Sequence, residues 1–235
     1  MALYQEWFVN FRFPNYESKE LVASSLGQVP DGWQTVPLSD IAKISMGVSL
    51  ADWQEDNATE VTVPFVQSTE LADQFLMSIK QQIPESVLKP SSAEVHPLHT
   101  VIMATKGDET GQLGILDCKA AIDESCCAVR VNDFDLGYPF LFLHCLANWK
   151  KIVDLVRASP QQSINKNLFQ HVRIARPPAT VVTSFNHEVL PKFNRMHTLQ
   201  QSADKLQETR DLLLARLMSG QADEDEIDQL IKDMR

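Results

Sequence analysis

The residues best suited to chemistry fall in one window, Lys150 to Asn167. Lys150, Lys151, Arg157 and Lys166 supply positive charge there, and Ser159, Gln161, Gln162, Ser163, Asn165 and Asn167 supply hydroxyl and amide groups. Reading a DNA duplex needs both classes. Cations hold phosphates and give affinity without sequence, whereas amides and hydroxyls meet base edges, Asn and Gln being matched to adenine. A solvated loop beside a basic helix end would have the same composition, so function must be tested there. Two smaller groups share the character: Gln67, Ser68 and Thr69 after a strand-like run, and Lys106 with Thr110 in a glycine turn.

Charge supports this window only when it is read locally. The chain carries 21 Lys and Arg against 31 Asp and Glu, a net −10 that by itself argues against a polyanionic partner. Between Trp149 and Pro178, however, six basic residues stand against Asp154 alone, a local +5, while Asp223 to Arg235 holds six acids against two bases, a local −4. The acidic excess sits partly in the tail.

Catalytic motifs are missing from the sequence. An adenine methyltransferase would need Asn/Asp-Pro-Pro-aromatic, and the Pro-Pro here is Arg176-Pro177-Pro178-Ala179. A P-loop requires Gly-x4-Gly-Lys-Ser/Thr, which Gly107, Gly111 and Gly114 do not provide, so they read as a hairpin turn. The six histidines form neither HExxH nor HxH, and Cys118, Cys126, Cys127 and Cys145 form no CxxC. No metal site is expected. The cysteines read as reduced, mostly buried thiols; a nucleophile at Cys126 or Cys127 is the distant rival, and it would need a placed His.

The elements that must position these residues follow from periodicity. Leu3, Tyr4, Trp7, Phe8 and Phe11 recur at helical spacing until Pro14, which predicts a short helix that must dock its aromatic face. Residues 15–31 include Asn15, Ser18, Ser24, Ser25, Gly27, Pro30 and Asp31 with little periodicity, and read as a polar connector with a domain boundary. Trp33 to Leu38 reads as a strand, followed by a brief helix capped by Ser39 and running through Ile44. Val61–Val66, Thr100–Thr105, Gly114–Leu116, Cys126–Val131 and His171–Ile174 read as strands, and Tyr138–Arg157 as a helix with Pro139 in its first turn. After Pro178 there is no Gly until Gly220, and Phe193, Met196, Leu199, Leu206, Leu213 and Leu217 recur close to a heptad, with Arg210 filling one seam position. From Leu190 to Met218 such a helix would be about 43 Å long, more than a domain of this size covers unaided. The 235 residues contain no run near the roughly 20 apolar residues of a membrane span and no signal peptide, so a cytoplasmic protein with no membrane partner is expected.

These residues together resemble one family. Leu206-Gln-Glu-Thr-Arg-Asp-Leu-Leu-Leu-Ala-Arg-Leu-Met-Ser-Gly220 resembles the end of the conserved helical region of type I restriction-modification specificity (S) subunits. Tyr4-Gln-Glu-Trp-Phe-Val-Asn-Phe11 is similar to the end of that family's other conserved helix. Pro30-Asp-Gly-Trp33 through Ala42 resembles the opening of a target recognition domain. Thr100 through Gly114 and Ala121 through Val129 resemble its central strands, with Asp123 where the family more often has Asn. The order and spacing cover nearly the whole chain.

The resemblance implies an α+β fold: a DNA target recognition domain of mixed strands and short helices, then a long helix that pairs antiparallel as a coiled coil on dimerisation. The corresponding parts are a helix stub at 1–14, a linker at 15–31, the recognition domain at 32–178, the long helix at 179–220 and an acidic tail at 221–235. This is half of a complete S subunit, and a short gene product and the C-terminal part of a longer one share the pattern. The resemblance further implies no catalysis and no cofactor in this chain. Its partners would be double-stranded DNA, a second copy of itself, methyltransferase (M) subunits using S-adenosylmethionine, and restriction (R) subunits using ATP and Mg. A coiled-coil regulator of such a complex that does not itself read DNA is the alternative.

Overall fold

Three runs in the middle of the chain are buried at every residue that faces either side of a sheet, and this makes them central strands. They are β8 (Val101–Ala104), β9 (Leu113–Leu116) and the first four residues of β11 (Cys126–Val131). The computed structural model describes residues 1–49, 61–88, 93–132, 136–158 (the backbone alone from 149) and 172–219. The chain divides into two compact units, Met1–Leu190 and Pro191–Arg235.

In the first unit β8, β9 and β11 join β4 (Ala42–Met46) and β6 (Gln74–Leu76) in a five-stranded sheet of order β4-β11-β8-β9-β6. All its pairings are antiparallel except β6 with β9. The outer strand β4 alternates, burying Ala42 and Ile44 and exposing Lys43, as an edge strand with one wet face must. The brief helix expected through Ile44 therefore stops earlier: α2 is Leu38–Ile41, its N-cap is Pro37 rather than Ser39, and Ile44 belongs to β4, where it pairs with Val129. The period-two pattern of Ala42, Lys43 and Ile44, with a partner strand available, overrode the local helix signal.

A second sheet of three strands has the order β10-β5-β7, from β5 (Thr62–Val66), β7 (Gln82–Pro84) and β10 (Ala121–Ile122). β10 runs parallel to β5, and β7 antiparallel, with the one-turn α3 (Glu85–Leu88) following β7. β3 (Gln34–Pro37) pairs antiparallel with β12 (Arg173–Arg176), so the two ends of the chain segment between them close on each other. Residues 15–31 are more ordered than a polar connector. They contain a hairpin of β1 (Leu21–Ser24) and β2 (Gly27–Pro30), whose turn is tied by Ser24 Oγ donating to the Gly27 carbonyl at 2.7 Å.

Two helices complete the unit's core. α4 (Gly137–Ala158) packs on β8, β9 and β11 and buries Phe140, Leu141, Phe142 and Cys145. α1 (Ala2–Phe8) lays Tyr4, Trp7 and Phe8 against Phe140 and against Phe185, which lies in the first turns of α5 (Ala179–Met218). Phe8 meets Phe140 at 4.9 Å and Phe185 at 4.7 Å between ring centres, both edge to face. Each such ring contributes about 1.5–3 kcal/mol by leaving water. That burial is what holds a seven-residue helix too short to persist alone.

The long helix expected after Pro178 is observed as α5, 40 residues with Pro191 in its interior. In the second unit, Leu199, Leu206 and Leu217 are exposed, Leu206 by 63%. Met196 is also exposed, Leu213 is half-buried, Phe193 is buried, and Arg210 pairs with its neighbour Asp211 at 2.6 Å. Among the described residues, no helix is long and apolar enough to cross a membrane.

Candidate nucleic-acid interface

The chemistry-bearing window divides between two kinds of location. Lys150, Lys151 and Arg157 lie on the last turns of α4, which fixes their backbone on one continuous helix. Ser159, Gln161, Gln162, Ser163, Asn165, Lys166 and Asn167 lie outside the described residues.

The group after β5 is built in detail. Val66 ends the strand in the core, and Gln67 then caps a single 3-10 turn over Ser68–Glu70. Glu70 closes the capping box by accepting the Gln67 backbone N–H through Oε2 at 3.1 Å. Its other oxygen accepts the Lys80 backbone N–H at 2.9 Å, so one carboxylate ties together two segments ten residues apart. Ser68 is only 7% exposed and faces inward, whereas Gln67 and Thr69 face solvent. The Gln67 side chain donates through Nε2 to Gln81 Oε1 at 2.8 Å. Lys80 is exposed beside it and Gln81 is half-buried. No spacing in the sequence marks Lys80, Gln81 or Glu70 as neighbours of Gln67. The amide-rich run Lys80-Gln81-Gln82 was the available signal, but nothing local tells that it faces Gln67.

The glycine turn has a different electrostatic setting. Thr110 Oγ1 donates to the Gly107 carbonyl at 2.6 Å, an internal turn bond, and Lys106 pairs with Glu124 at 3.4 Å. Asp108 and Glu109 are its neighbours in the turn. An ammonium already paired with a carboxylate, in a turn that carries two further acids, makes a poor phosphate site. Across the sheet edge, Lys43 is bonded to Glu94, whose other oxygen accepts Ser45 Oγ at 2.9 Å. The Lys43 ammonium holds the Glu94 carboxyl below its ordinary range.

The rival nucleophile does not survive the geometry. Cys126 and Cys127 are buried, and burial pushes the Cys126 thiol up to about 12 and the Cys127 thiol well above its ordinary value. Neither is a thiolate near neutrality. Asp123, where the resemblance leads one to expect Asn, accepts the Ser125 N–H through Oδ1 at 2.8 Å. An Asn side-chain oxygen would serve the same turn.

Comparison with known proteins agrees with this architecture. The sequence pattern of the type I restriction modification DNA specificity domain matches residues 30–183. The type I restriction enzyme MjaIX specificity subunit of Methanocaldococcus jannaschii is 24% identical over 234 residues, covering 94% of this chain and 51% of that protein. Among solved structures, the HsdS subunit from Thermoanaerobacter tengcongensis superposes with a TM-score of 0.56 at 15% identity, over 92% of this chain and 49% of its own. A type I restriction-modification S subunit from M. genitalium does so with a TM-score of 0.57 at 13% identity, over 80% and 46%. The chain thus spans about half the length of the relatives it matches.

Proposed function

Because this chain belongs to the type I restriction-modification DNA specificity family, we propose that it is a non-catalytic DNA sequence-specificity subunit that reads one half-site and recruits methyltransferase subunits. The observation that carries this reading is the family's domain pattern, which matches residues 30–183 and so takes in both sheets and α4. Affinity would come from cations such as Lys150, Lys151, Arg157 and Lys166, and discrimination from the amides beside them. The methyl donor S-adenosylmethionine would belong to the M subunit, and ATP and Mg to the R subunits of a full complex.

Dimerisation through α5 completes the reading. A helix with Met196, Leu199, Leu206 and Leu217 exposed leaves an apolar stripe in water unless another helix covers it. Two identical chains paired antiparallel are related by a two-fold axis, so each presents the same side chains to DNA in opposite orientation. The target is then an inverted repeat of one short half-site around an unread spacer. Methylome sequencing of cells with and without this gene, supplied with its methyltransferase, tests the reading. A symmetric bipartite motif that disappears with the gene is expected. An asymmetric motif overturns the symmetric dimer, and an unchanged methylome overturns the specificity function.

A further inference from the structure

The side-chain amides of Gln67 and Gln81 come from segments 14 residues apart and meet at one place. Gln67 Nε2 donates to Gln81 Oε1 at 2.8 Å. The Gln67 side-chain oxygen accepts the Glu70 backbone N–H in the capping box and keeps its second lone pair, and the NH2 of Gln81 remains, so an acceptor and a donor stand on two residues joined by one hydrogen bond. The major-groove edge of adenine presents an N6 donor beside an N7 acceptor and is met by that complement.

The backbone beneath both amides is fixed. Glu70 accepts the N–H groups of Gln67 and Lys80, at 3.1 and 2.9 Å, one on each oxygen. The Gln81 carbonyl accepts the Phe65 N–H at 2.9 Å, and Phe65 and Ile83 are buried in the core of the three-stranded sheet. The Glu70 carboxylate therefore faces backbone donors, and a pair already ordered loses less side-chain freedom on binding. Lys80, adjacent in the chain, is exposed, and among the described residues its ammonium has no carboxylate partner. Lys106, with Glu124 at 3.4 Å, makes the contrast.

We propose that Gln67 and Gln81 act as one paired-amide reader of an adenine edge in the major groove, with Lys80 on a flanking phosphate. The assignment rests on the DNA-reading function proposed above and names residues for it outside the Lys150–Asn167 window.

The full chain, assembled with its methyltransferase subunits, is titrated with a duplex carrying its methylated motif and with a scrambled duplex. Gln67→Ala and Gln81→Ala are each expected to lower the preference for the motif about 5- to 150-fold, the range for losing one bidentate base contact, and to relax one A·T position. The double variant should be little worse than either single one, since the two act as a unit. Gln81→Glu keeps the size and replaces the donor with an acceptor, so preference at that position should move toward cytosine, an outcome misfolding cannot produce. Lys80→Ala should weaken both duplexes alike and lower the salt slope by about one. If the wild type selects its motif and both alanine variants keep that preference within about two-fold, the paired reader is wrong and the function stands. If the wild type binds both duplexes equally, the function and this assignment fall together.

Discussion

The hydroxyl of Tyr4 lies 2.7 Å from Nδ1 of His144, a residue 140 positions later, and both side chains are buried. This bond ties α1 to α4 inside the aromatic cluster, with Phe140 6.0 Å from the Tyr4 ring. Burial pushes the Tyr4 phenol well above its ordinary value, so it stays neutral.

Tyr4→Phe keeps the ring packing and deletes the bond. It should lower stability by about 0.5–1.5 kcal/mol, read as a shift in the urea midpoint with an unchanged slope. A midpoint that does not move would show that the bond contributes nothing net.

Gly47 follows β4, where the backbone of Ile122 and Asp123 passes so close that an added Cβ would stand 1.9 Å from the Asp123 carbonyl oxygen. Its own N–H donates to the Cys126 carbonyl at 3.0 Å, so the strand cannot retreat without losing that bond. Gly47→Ala should therefore destabilise by about 1–3 kcal/mol, as overpacking against backbone does. Calorimetry of the variant checks it.

His96 is buried beside Ala120, and burial holds its pKa below the ordinary 6.5 against the opposing pull of Glu94, with Lys43 and Arg130 adding to the lowering. The sign follows from which state protonates first. As pH falls below about 6.5 the unfolded chain takes up the proton before the folded one, so stability is lost from there down to the folded-state pKa. His96→Gln should flatten the unfolding midpoint between pH 7 and pH 5. An identical pH profile in the variant would place the titration elsewhere.

Replacing both the exposed Leu206 and the half-buried Leu213 with Lys puts like charges along the apolar stripe of α5. Sedimentation should then report monomers where the unaltered chain, at the same concentration, forms dimers. A dimer that survives both changes would remove the helix as its interface.

In the Lys150–Asn167 window, Lys151→Ala or Lys166→Ala should weaken binding to every duplex, with the salt slope lower by about one per lost phosphate contact. Gln162→Ala or Asn165→Ala should instead relax one base pair, at about 1–3 kcal/mol of discrimination. Competition binding at two salt concentrations separates the two behaviours.

Patterns local in the chain were legible from the amino acids alone. The 3.6-residue spacing of Tyr4, Trp7 and Phe8, the unbroken apolar run at Val101–Ala104, the Pro139 of α4 and the glycine-free stretch after Pro178 each marked an element found in place. So did the ordered set of segments by which the family was identified. Where a local signal competed with a distant partner, the partner won. Ile44 left its expected helix because Val129 was there to pair with it, and the polar connector closed into a hairpin because Leu21 and Pro30 could face each other. Tertiary structure alone decided that Ser68 turns inward while Gln67 reaches Gln81, and that Lys106 meets Glu124. Periodicity records which face of an element is apolar, but which two polar side chains meet depends on how the loops close, and no short-range spacing encodes that closure.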